Sequence, residues 1–334
     1  MDLFKGTFAV GFCVFLLVAA AGCSNGSDDD SSDDVSSDDA ADDTAADDSA
    51  ADDAGDDTAA DDSTDDDSIP PPQGCDTLKQ GYNEMVVNGL PRYFYVDLPT
   101  GVADSWPWPI VFNWHGYGDT AENMRTLIDS LVDFEGFPFI GITPEDTNML
   151  FDWDIVDAAN PDNRELLFFD AVLAEADKCW GVDKNHIHVM GFSFGGGVAD
   201  MMGTLRGDII ASIATCSGIY GNDPADSFPN GIANWPPLTT ENKYVEFRLH
   251  GGVLDNMILP FGQYGINDGI FLNGNGHDYV QCIHPYSHNM GFMYMGPQSF
   301  IEFFRDHPFG TTVSPYKDGF PADYKSTCEY DPKQ

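Results

Sequence analysis

The stretch "NHIHVMGFSFGGGVADMMG", residues 185–203, decides the fold class because three local patterns meet in it. A β-rich run, His-Ile-His-Val-Met, leads directly into Gly-Phe-Ser-Phe-Gly, and a run with helical spacing follows. Glycine is costly inside a helix or strand, so this density of glycine needs a local reason. G-x-S-x-G between a strand and a helix predicts a sharp turn that projects the hydroxyl of Ser193.

The residues next to Ser193 fit such a turn. The glycines on both sides remove side chains that would clash, and the two further glycines let the helix lie close to the sheet. The backbone N–H of Phe194, at the start of the helix, would then point at a developing oxyanion. Ser193 is therefore the predicted nucleophile, and a purely structural glycine-rich turn is the alternative.

Strand and helix patterns alternate along the chain after residue 75. Two β-rich runs surround Asn88-Gly89, the strongest short signal for a hairpin, and "WPIVFNW" (108–114) has the continuous apolar character of a strand buried on both faces. An N-terminal antiparallel hairpin followed by alternating strands and helices predicts an α/β fold, with a mostly parallel sheet and helices on both faces. The other predicted helices are 122–136, 163–180, 194–206 and 296–307, and the other predicted strands are 137–145, 186–190, 209–218, 243–251 and 279–284.

A second oxyanion donor is expected after an earlier strand of the sheet. His115-Gly116-Tyr117-Gly118 follows the strand 108–114 directly. We expect the backbone N–H of Tyr117 to complete the oxyanion hole with that of Phe194. A glycine turn with a structural histidine is the alternative interpretation.

A nucleophilic serine needs a histidine base, which in this chain order follows the acid. The base is expected on the loop between the last strand and the last helix, and "YVQCIHPYSHNMGF" places His288 there. His284 and His277 remain alternatives. His307 lies in the last predicted helix and is expected at the surface.

The orienting acid is expected just past a strand, where a turn can aim a carboxylate at the histidine. "FRLHGGVLDNMI" places Asp255 in that position. Asp268 and Asp223 are the alternatives.

With these residues assigned, the chain resembles a known family. "HGYGDTAEN", "CWGVDKNHIHVMGFSFGGG", "LHGGVLD", "CIHPYSHNM" and "FIEFFRDHP" are similar to motifs of the secreted α/β-hydrolase esterases, the group of polyhydroxybutyrate depolymerases, feruloyl esterases and acetylxylan esterases. These motifs run through most of residues 83–308. The chain departs from the family pattern by one extra residue before Asp255 and by Ser287 before His288.

The resemblance implies an α/β-hydrolase fold and a serine carboxylic-ester hydrolase with the triad Ser193, Asp255 and His288, without metal or organic cofactor. Because no polymer-binding domain is found beside the predicted hydrolase domain, we expect short, feruloyl-type or acetyl-type esters, including those on plant cell-wall oligosaccharides. A polyester depolymerase acting on polyester oligomers, or a serine peptidase, is the alternative. The loop 220–243 is long enough to act as a lid, and Trp153 and Trp235 are expected either to stack on a substrate ring or to pack in the core.

The N-terminal segment is not globular in character. After Lys5, an apolar run of about fifteen residues ends at Ala20-Ala21-Gly22-Cys23, too short to span a bilayer comfortably and typical of a signal peptide. Small residues before a cysteine resemble the bacterial lipobox, so residues 1–22 are a predicted lipoprotein signal peptide and Cys23 the predicted lipid attachment. An ordinary signal with cleavage nearby is the alternative. Ser24 favours the outer membrane in lipoprotein sorting, which places the protein outside the cytoplasm.

Charge separates the tail from the rest of the chain. Residues 24–68 contain 20 aspartates and no basic residue, so we interpret 23–74 as a lipidated cysteine with a disordered, extended spacer. Residues 75–334 form the predicted catalytic domain. Residues 69–334 carry 35 acidic and 13 basic residues, a net charge of −22, which argues against nucleic acid and anionic membrane surfaces as partners. We expect a monomer held at the membrane through its lipid.

Five cysteines remain when Cys13 and Cys23 are set aside, and the predicted compartment is oxidising. Two disulfides and one free thiol is the natural expectation. A staple between Cys75 and Cys328 is the first hypothesis for the pairing, and Cys216 is the expected buried free thiol.

Overall fold

The computed structural model describes residues 75–102, 106–149, 152–226, 233–238, 243–257 and 259–330. The predicted signal peptide, Cys23 and the Asp-rich spacer lie outside these ranges. Nine strands of the described residues form one sheet, in the order β1-β2-β4-β3-β5-β6-β7-β8-β9. The strands are β1 Gly81–Val87, β2 Leu90–Asp97, β3 Trp108–Trp114, β4 Ile140–Pro144, β5 Val182–Phe192, β6 Ser212–Cys216, β7 Val245–His250, β8 Tyr279–Ile283 and β9 Cys328–Tyr330.

The centre of this sheet is parallel, from β4 through β3, β5, β6 and β7 to β8. Antiparallel strands lie at both edges: β1 and β2 at one, and β9 at the other. At the tip of the β1–β2 hairpin, Asn88 and Gly89 have φ angles of 48° and 77°, as a type I′ turn requires. The predicted hairpin and the mostly parallel sheet are therefore confirmed.

Helices cover both faces of the sheet. They are α1 Ala121–Arg125, α2 Arg164–Trp180, α3 Phe194–Arg206, α4 Phe261–Gly274, α5 Phe292–Met295 and α6 Gln298–Asp306. Neighbouring residues of β3 point to opposite faces: Phe112 joins a cluster with residues of α2, α3 and α4, whereas Val111 joins a cluster with residues of α6. The prediction of helices on both faces is confirmed.

Two helical segments differ from the sequence prediction. The predicted helix 122–136 is short, because α1 ends at Arg125 and only a 3₁₀ turn, Asp129–Leu131, follows. The hydroxyl of Thr126 donates to the carbonyl of Asn123 at 2.7 Å, a local bond that competes with helix continuation. The 14-residue helix α4 was not predicted, since its four glycines disfavour a helix.

Two of the four α4 glycines are explained by close packing against β7 and β8. A Cβ at Gly265 would lie 2.7 Å from the ring of His250, and a Cβ at Gly269 would lie 2.6 Å from the ring of Tyr279. Only glycine allows the helix to approach these strands so closely. Tertiary packing thus outweighs the poor helix propensity of this segment.

The disulfide hypothesis is wrong in its pairing and right in its number. Cys75 is bonded to Cys179 and Cys282 to Cys328, and Cys216 is a buried free thiol. Cys328 lies on β9 directly opposite Cys282 on β8, so the sheet register brings these two together. Among the described residues, no helix is both long and apolar enough to cross a membrane.

Candidate active site

Ser193 occupies a strained turn between β5 and α3. Its φ of 55° is unusual for a residue with a side chain, and its amide donates to the carbonyl of Cys216 at 2.9 Å. A Cβ at Gly191 would lie 2.1 Å from the carbonyl oxygen of Gly195, and a Cβ at Gly195 would lie 2.2 Å from that of His115. Both glycines are required for the chain to make this turn against the neighbouring strand.

Three side chains predicted from the sequence meet at this turn. The Oγ of Ser193 lies 2.8 Å from Nε2 of His288, and Nδ1 of His288 lies 2.7 Å from Oδ1 of Asp255. Ser193 is 6% exposed and the His288 side chain 12%, so both are reachable but largely shielded from water. The arrangement allows the imidazole to accept the serine proton while the carboxylate orients the ring.

Asp255 is buried and held by two further donors. The Oγ of Ser217 donates to Oδ2 of Asp255 at 2.5 Å, and the amide of Gly251 donates to the same oxygen at 3.3 Å. Burial alone would raise the pKa of Asp255, but the hydrogen bonds from His288 and Ser217 outweigh it, and the net effect lowers the pKa. Asp255 is therefore stabilised as the anion.

Two aromatic rings flank the imidazole of His288. The ring centroid of Phe192 lies 4.9 Å away and that of Phe261 lies 4.3 Å away. Phe192 comes from the end of β5 and Phe261 from the start of α4. The rings fix the orientation of the imidazole from two elements of the fold.

The alternative bases and acids are placed elsewhere. His284 contacts the carbonyl of Asn289 at 3.0 Å, and His277 contacts that of Tyr244 at 3.1 Å. Asp268 pairs with Arg248, and Asp223 lies beside Asp268. The structure brings none of these four alternatives to Ser193.

The expectation for His307 is wrong. It is buried, with Nδ1 at 2.7 Å from the carbonyl of Phe303 and Nε2 at 2.7 Å from Oγ of Ser314. The segment that follows α6 folds back over this histidine, which the helical pattern alone does not reveal.

The predicted oxyanion loop lies beside the serine. A Cβ at Gly116 would lie 3.3 Å from Cβ of Ser193, and the ring of Tyr117 contacts that of Phe194 edge-on at 6.2 Å. The loop is fixed by a hydrogen bond of 2.6 Å from the amide of Gly118 to Oδ2 of Asp152. The oxyanion role of the Tyr117 and Phe194 amides stays a prediction, and this proximity supports it.

His115 belongs to the frame of that loop. Its Nδ1 lies 2.9 Å from the carbonyl of Gly116, and its Nε2 lies 3.3 Å from Oε1 of Glu145. Burial alone would lower the pKa of His115, but the hydrogen bond with Glu145 contributes the opposite effect, and the net result raises the pKa. A structural role for this histidine, one of the two alternatives from sequence, fits these contacts.

The two tryptophans considered for substrate stacking are core residues. Trp153 is 1% exposed and its Nε1 donates to the carbonyl of His115 at 2.9 Å. Trp235 is 8% exposed and its Nε1 donates to the carbonyl of Ile155. Packing, rather than stacking on substrate, explains both. Parts of the loop 220–243 lie outside the described residues, so its role as a lid stays a prediction.

Two groups of side chains outside the Ser193 site are close enough to share a metal ion. They are His115 with Glu145 and Asp146, and Asp223 with Asp226 and Asp268. Neither group contains a residue of the triad arrangement.

The comparison with known proteins agrees with the motifs. Feruloyl esterase D of Neurospora crassa is 28% identical over 171 residues, which is 46% of this chain and 58% of that protein. The resemblance to the esterase family is confirmed. Because the match spans 58% of feruloyl esterase D, the chain covers less than two thirds of the length of this relative. No family model matches the chain.

Solved structures show the same fold. The native crystal structure of pOPH has a TM-score of 0.60 at 16% identity, covering 79% of this chain and 97% of pOPH. A ferulic acid esterase has a TM-score of 0.50 at 18% identity, covering 68% and 96%. A ferulic acid esterase from Anaeromyces mucronatus, in complex with ferulic acid, has a TM-score of 0.50 at 14% identity, covering 71% and 94%. The predicted α/β-hydrolase fold is confirmed.

Sequence reasoning missed Ser217, Phe192 and Phe261 as parts of the site. Ser217 follows β6 in "TCSG", at the same edge of the parallel sheet as the residues after β5 and β7. Polar residues at the carboxyl ends of neighbouring parallel strands were the available signal. The role of Phe261 had no such signal, because α4 itself was not predicted.

Proposed function

We propose that this protein is a serine carboxylic-ester hydrolase that uses Ser193, His288 and Asp255. The observation that carries the proposal is the continuous chain of contacts from Ser193 Oγ through His288 to Asp255, at 2.8 and 2.7 Å. The similarity to feruloyl esterase D supports the reaction class.

In the proposed reaction, Oγ of Ser193 attacks the ester carbonyl carbon while Nε2 of His288 accepts its proton. The carbonyl oxygen becomes an oxyanion, which the amides of Tyr117 and Phe194 stabilise. His288 then returns the proton to the leaving alcohol, leaving an acyl group on Ser193. Water, activated by the same histidine, attacks the acyl carbon and releases the acid.

We propose short and feruloyl-type or acetyl-type esters as substrates, including esters on plant cell-wall oligosaccharides. Exposed apolar side chains lie close in sequence to Asp255, which follows β7, and to His288, which follows β8. Val253, two residues before Asp255, is 92% exposed, and Met293, five residues after His288, is 91% exposed. Such side chains provide contacts for an aromatic or aliphatic acyl group.

The test is a panel of chromogenic acyl esters and methyl ferulate, with an acetylated oligosaccharide, a polyester film and a peptide substrate for comparison. The parent is expected to hydrolyse the soluble esters, and Ser193→Ala is expected to lose about 10⁴-fold or more in kcat. Asp255→Asn is expected to fold and to lose about 10⁴-fold, because the imidazole is left in the wrong tautomer. Undiminished turnover by Ser193→Ala contradicts the proposed nucleophile. Clearing of the film identifies a polyester depolymerase, and cleavage of the peptide alone a peptidase.

We also propose a location at the bacterial cell surface through a lipid on Cys23. The apolar run that ends in Ala-Ala-Gly-Cys supports it, and the acidic spacer would hold the catalytic part away from the anionic surface. Cell fractionation of Cys23→Ser is the test: the variant is expected to leave the membrane fraction. If it is processed to the same size and stays with the membrane like the parent, the anchor lies elsewhere.

A further inference from the structure

A buried group of acidic side chains lies between the segment that follows β6 and helix α4. Asp223 and Asp226 belong to that segment, and Asp268 lies in α4. They are 2%, 1% and 0% exposed. Carboxylates are almost never buried to this degree without a compensating positive charge.

The positive charge available nearby is too small. Arg248 pairs with Asp268 and Glu246, and its NH1 lies 3.6 Å from Oδ1 of Asp200. Arg248 is the basic residue that the described residues place in this group. Three buried carboxyls, those of Asp200, Glu246 and Asp268, lie beside it, and two more, those of Asp223 and Asp226, lie beside Asp268.

Within the set of Asp223, Asp226 and Asp268, two carboxylate oxygens lack a donor. Among the described residues, none donates a hydrogen bond to Oδ2 of Asp223 or to Oδ2 of Asp226, although both atoms are fully shielded from solvent. The other oxygen of Asp226 accepts a bond of 2.8 Å from Asn267. A buried acceptor without a partner is costly, and buried carboxylates in proteins are paired or coordinate a metal ion.

The spacing of the oxygens suits one ion. One ligand atom from each of Asp223, Asp226 and Asp268 lies within 4.8 Å of the other two. A calcium ion binds oxygen at about 2.3–2.6 Å, so two ligands on opposite sides of it are up to about 5 Å apart. Magnesium binds oxygen at about 2.0–2.1 Å in a stricter octahedron. A site made of carboxylates alone does not favour softer metals, which prefer sulfur or nitrogen ligands.

We propose that Asp223, Asp226 and Asp268 bind a calcium ion that ties the segment after β6 to helix α4. Two residues of these same elements support the Ser193 site: Ser217 donates to Asp255, and Phe261 packs on His288. The ion would stabilise the surroundings of the triad without contacting the substrate. The binding and melting measurements do not depend on the proposed esterase activity, so the two proposals can fail separately.

The experiment compares the full chain with Asp226→Asn. Asparagine keeps an oxygen that can accept the bond from Asn267, but it removes the charge that a calcium ion requires. Asp318→Asn, on an exposed aspartate of the 3₁₀ turn Pro315–Asp318, is the matched control. All three proteins retain the acidic tail, so any weak binding by its 20 aspartates is the same in each.

Calcium added after chelation is expected to raise the Tm of the parent and of Asp318→Asn by about 5 °C or more, and to leave Asp226→Asn unchanged. In chelator, Asp226→Asn is expected to melt at or above the parent, because one uncompensated buried charge is gone. Terbium is the second probe. Its emission, sensitised by Tyr220 and Trp235 near the site, does not report the tail, because residues 24–68 contain no aromatic residue. Loss of the emission in Asp226→Asn assigns it to this site rather than to the group of His115, Glu145 and Asp146 beside Trp153.

A parent protein with the same Tm in chelator and in millimolar calcium, and without sensitised terbium emission, overturns the proposal. So does an equal calcium response in Asp226→Asn. If Asp226→Asn does not fold, Asp223→Asn takes its place in both measurements, and equal terbium emission from Asp223→Asn and the parent overturns the proposal.

Discussion

The hydroxyl of Ser217 donates a hydrogen bond of 2.5 Å to Oδ2 of Asp255, the carboxylate oxygen that His288 does not contact. Asp255 is thus held at both oxygens by side chains from two different loops. The serine donor lies directly after β6, which neighbours both β5 and β7 in the sheet. The carboxylate is positioned by the sheet order as much as by its own loop.

Ser217→Ala is predicted to lower kcat by about 10- to 100-fold with little change in KM. A hydrogen bond to a charged group contributes about 1.5–3 kcal/mol, and Ser217 is too deeply buried to contact substrate. The hydrogen bond lowers the pKa of Asp255 and stabilises the carboxylate that orients His288, so its loss should lower the rate at the pH optimum.

The measurement for Ser217 is kcat and KM with a chromogenic ester, determined separately at the pH optimum. Ser299→Ala is the control, because Ser299 is equally buried and its hydroxyl donates to the carbonyl of Met295, away from Asp255. A kcat of Ser217→Ala equal to that of the parent would show that this contact does not position the carboxylate.

The disulfides give a prediction about covalent structure. Digestion without reduction should yield peptides that join Cys75 to Cys179 and Cys282 to Cys328, with Cys216 alkylated only after unfolding. Removing the second bridge by Cys282→Ala with Cys328→Ala should cost about 2–5 kcal/mol of stability, since this bridge closes a loop with a sequence separation of 46. A peptide joining Cys75 to Cys328 would contradict the observed sheet order at its β9 edge.

The local patterns predicted most of the sheet and the three side chains that meet at Ser193, because those features are encoded by short segments. G-x-S-x-G between β5 and α3 defines its own geometry, and Asn88-Gly89 defines its own turn. What the sequence did not predict depends on contacts between distant segments. Cys328 is placed by pairing of β9 with β8, and Gly265 and Gly269 allow α4 to pack against His250 and Tyr279.

Gly195 and Gly274 both lie in helices but are predicted to respond oppositely to alanine. A Cβ at Gly195 would lie 2.2 Å from the carbonyl oxygen of His115 and 2.4 Å from that of Trp114. Because both neighbours are backbone atoms, the backbone must move to accept a side chain at this position. Gly195→Ala is expected to lower the free energy of unfolding by about 3 kcal/mol and to displace the turn that holds Ser193.

Gly274→Ala is the matched control for Gly195→Ala, because a Cβ at Gly274 would meet no atom within 4 Å and the residue lies at the exposed end of α4. There, alanine should raise stability by about 0.5 kcal/mol, by reducing the entropy of the unfolded chain. Urea unfolding curves measure both changes. Equal destabilisation by the two substitutions would argue against close contact at Gly195.

The last prediction concerns acid stability. Burial lowers the pKa of His277 to about 4, although the carbonyl of Tyr244 partly offsets the shift. In the unfolded chain the pKa of this histidine is about 6.5. Between about pH 6.5 and 4, the unfolded state therefore binds a proton that the folded state does not. The contribution of neutral His277 to the free energy of unfolding is therefore complete above about pH 6.5. It is lost as pH falls below that value, by about 1.4 kcal/mol per pH unit.

His277→Asn removes this proton while keeping a side-chain N–H that can donate to the carbonyl of Tyr244. His250 and His307, whose pKa values burial also lowers to about 4, remain in the variant and keep their share of the acid sensitivity. Urea unfolding of His277→Asn at fixed free calcium, between about pH 4.5 and 6.5, gives the free energy of unfolding at each pH. The slope of this free energy against pH should be shallower than that of the parent by about one proton. Parallel curves for the two proteins would mean that His277 takes up its proton equally in the folded and unfolded states, against the burial that the fold imposes on it.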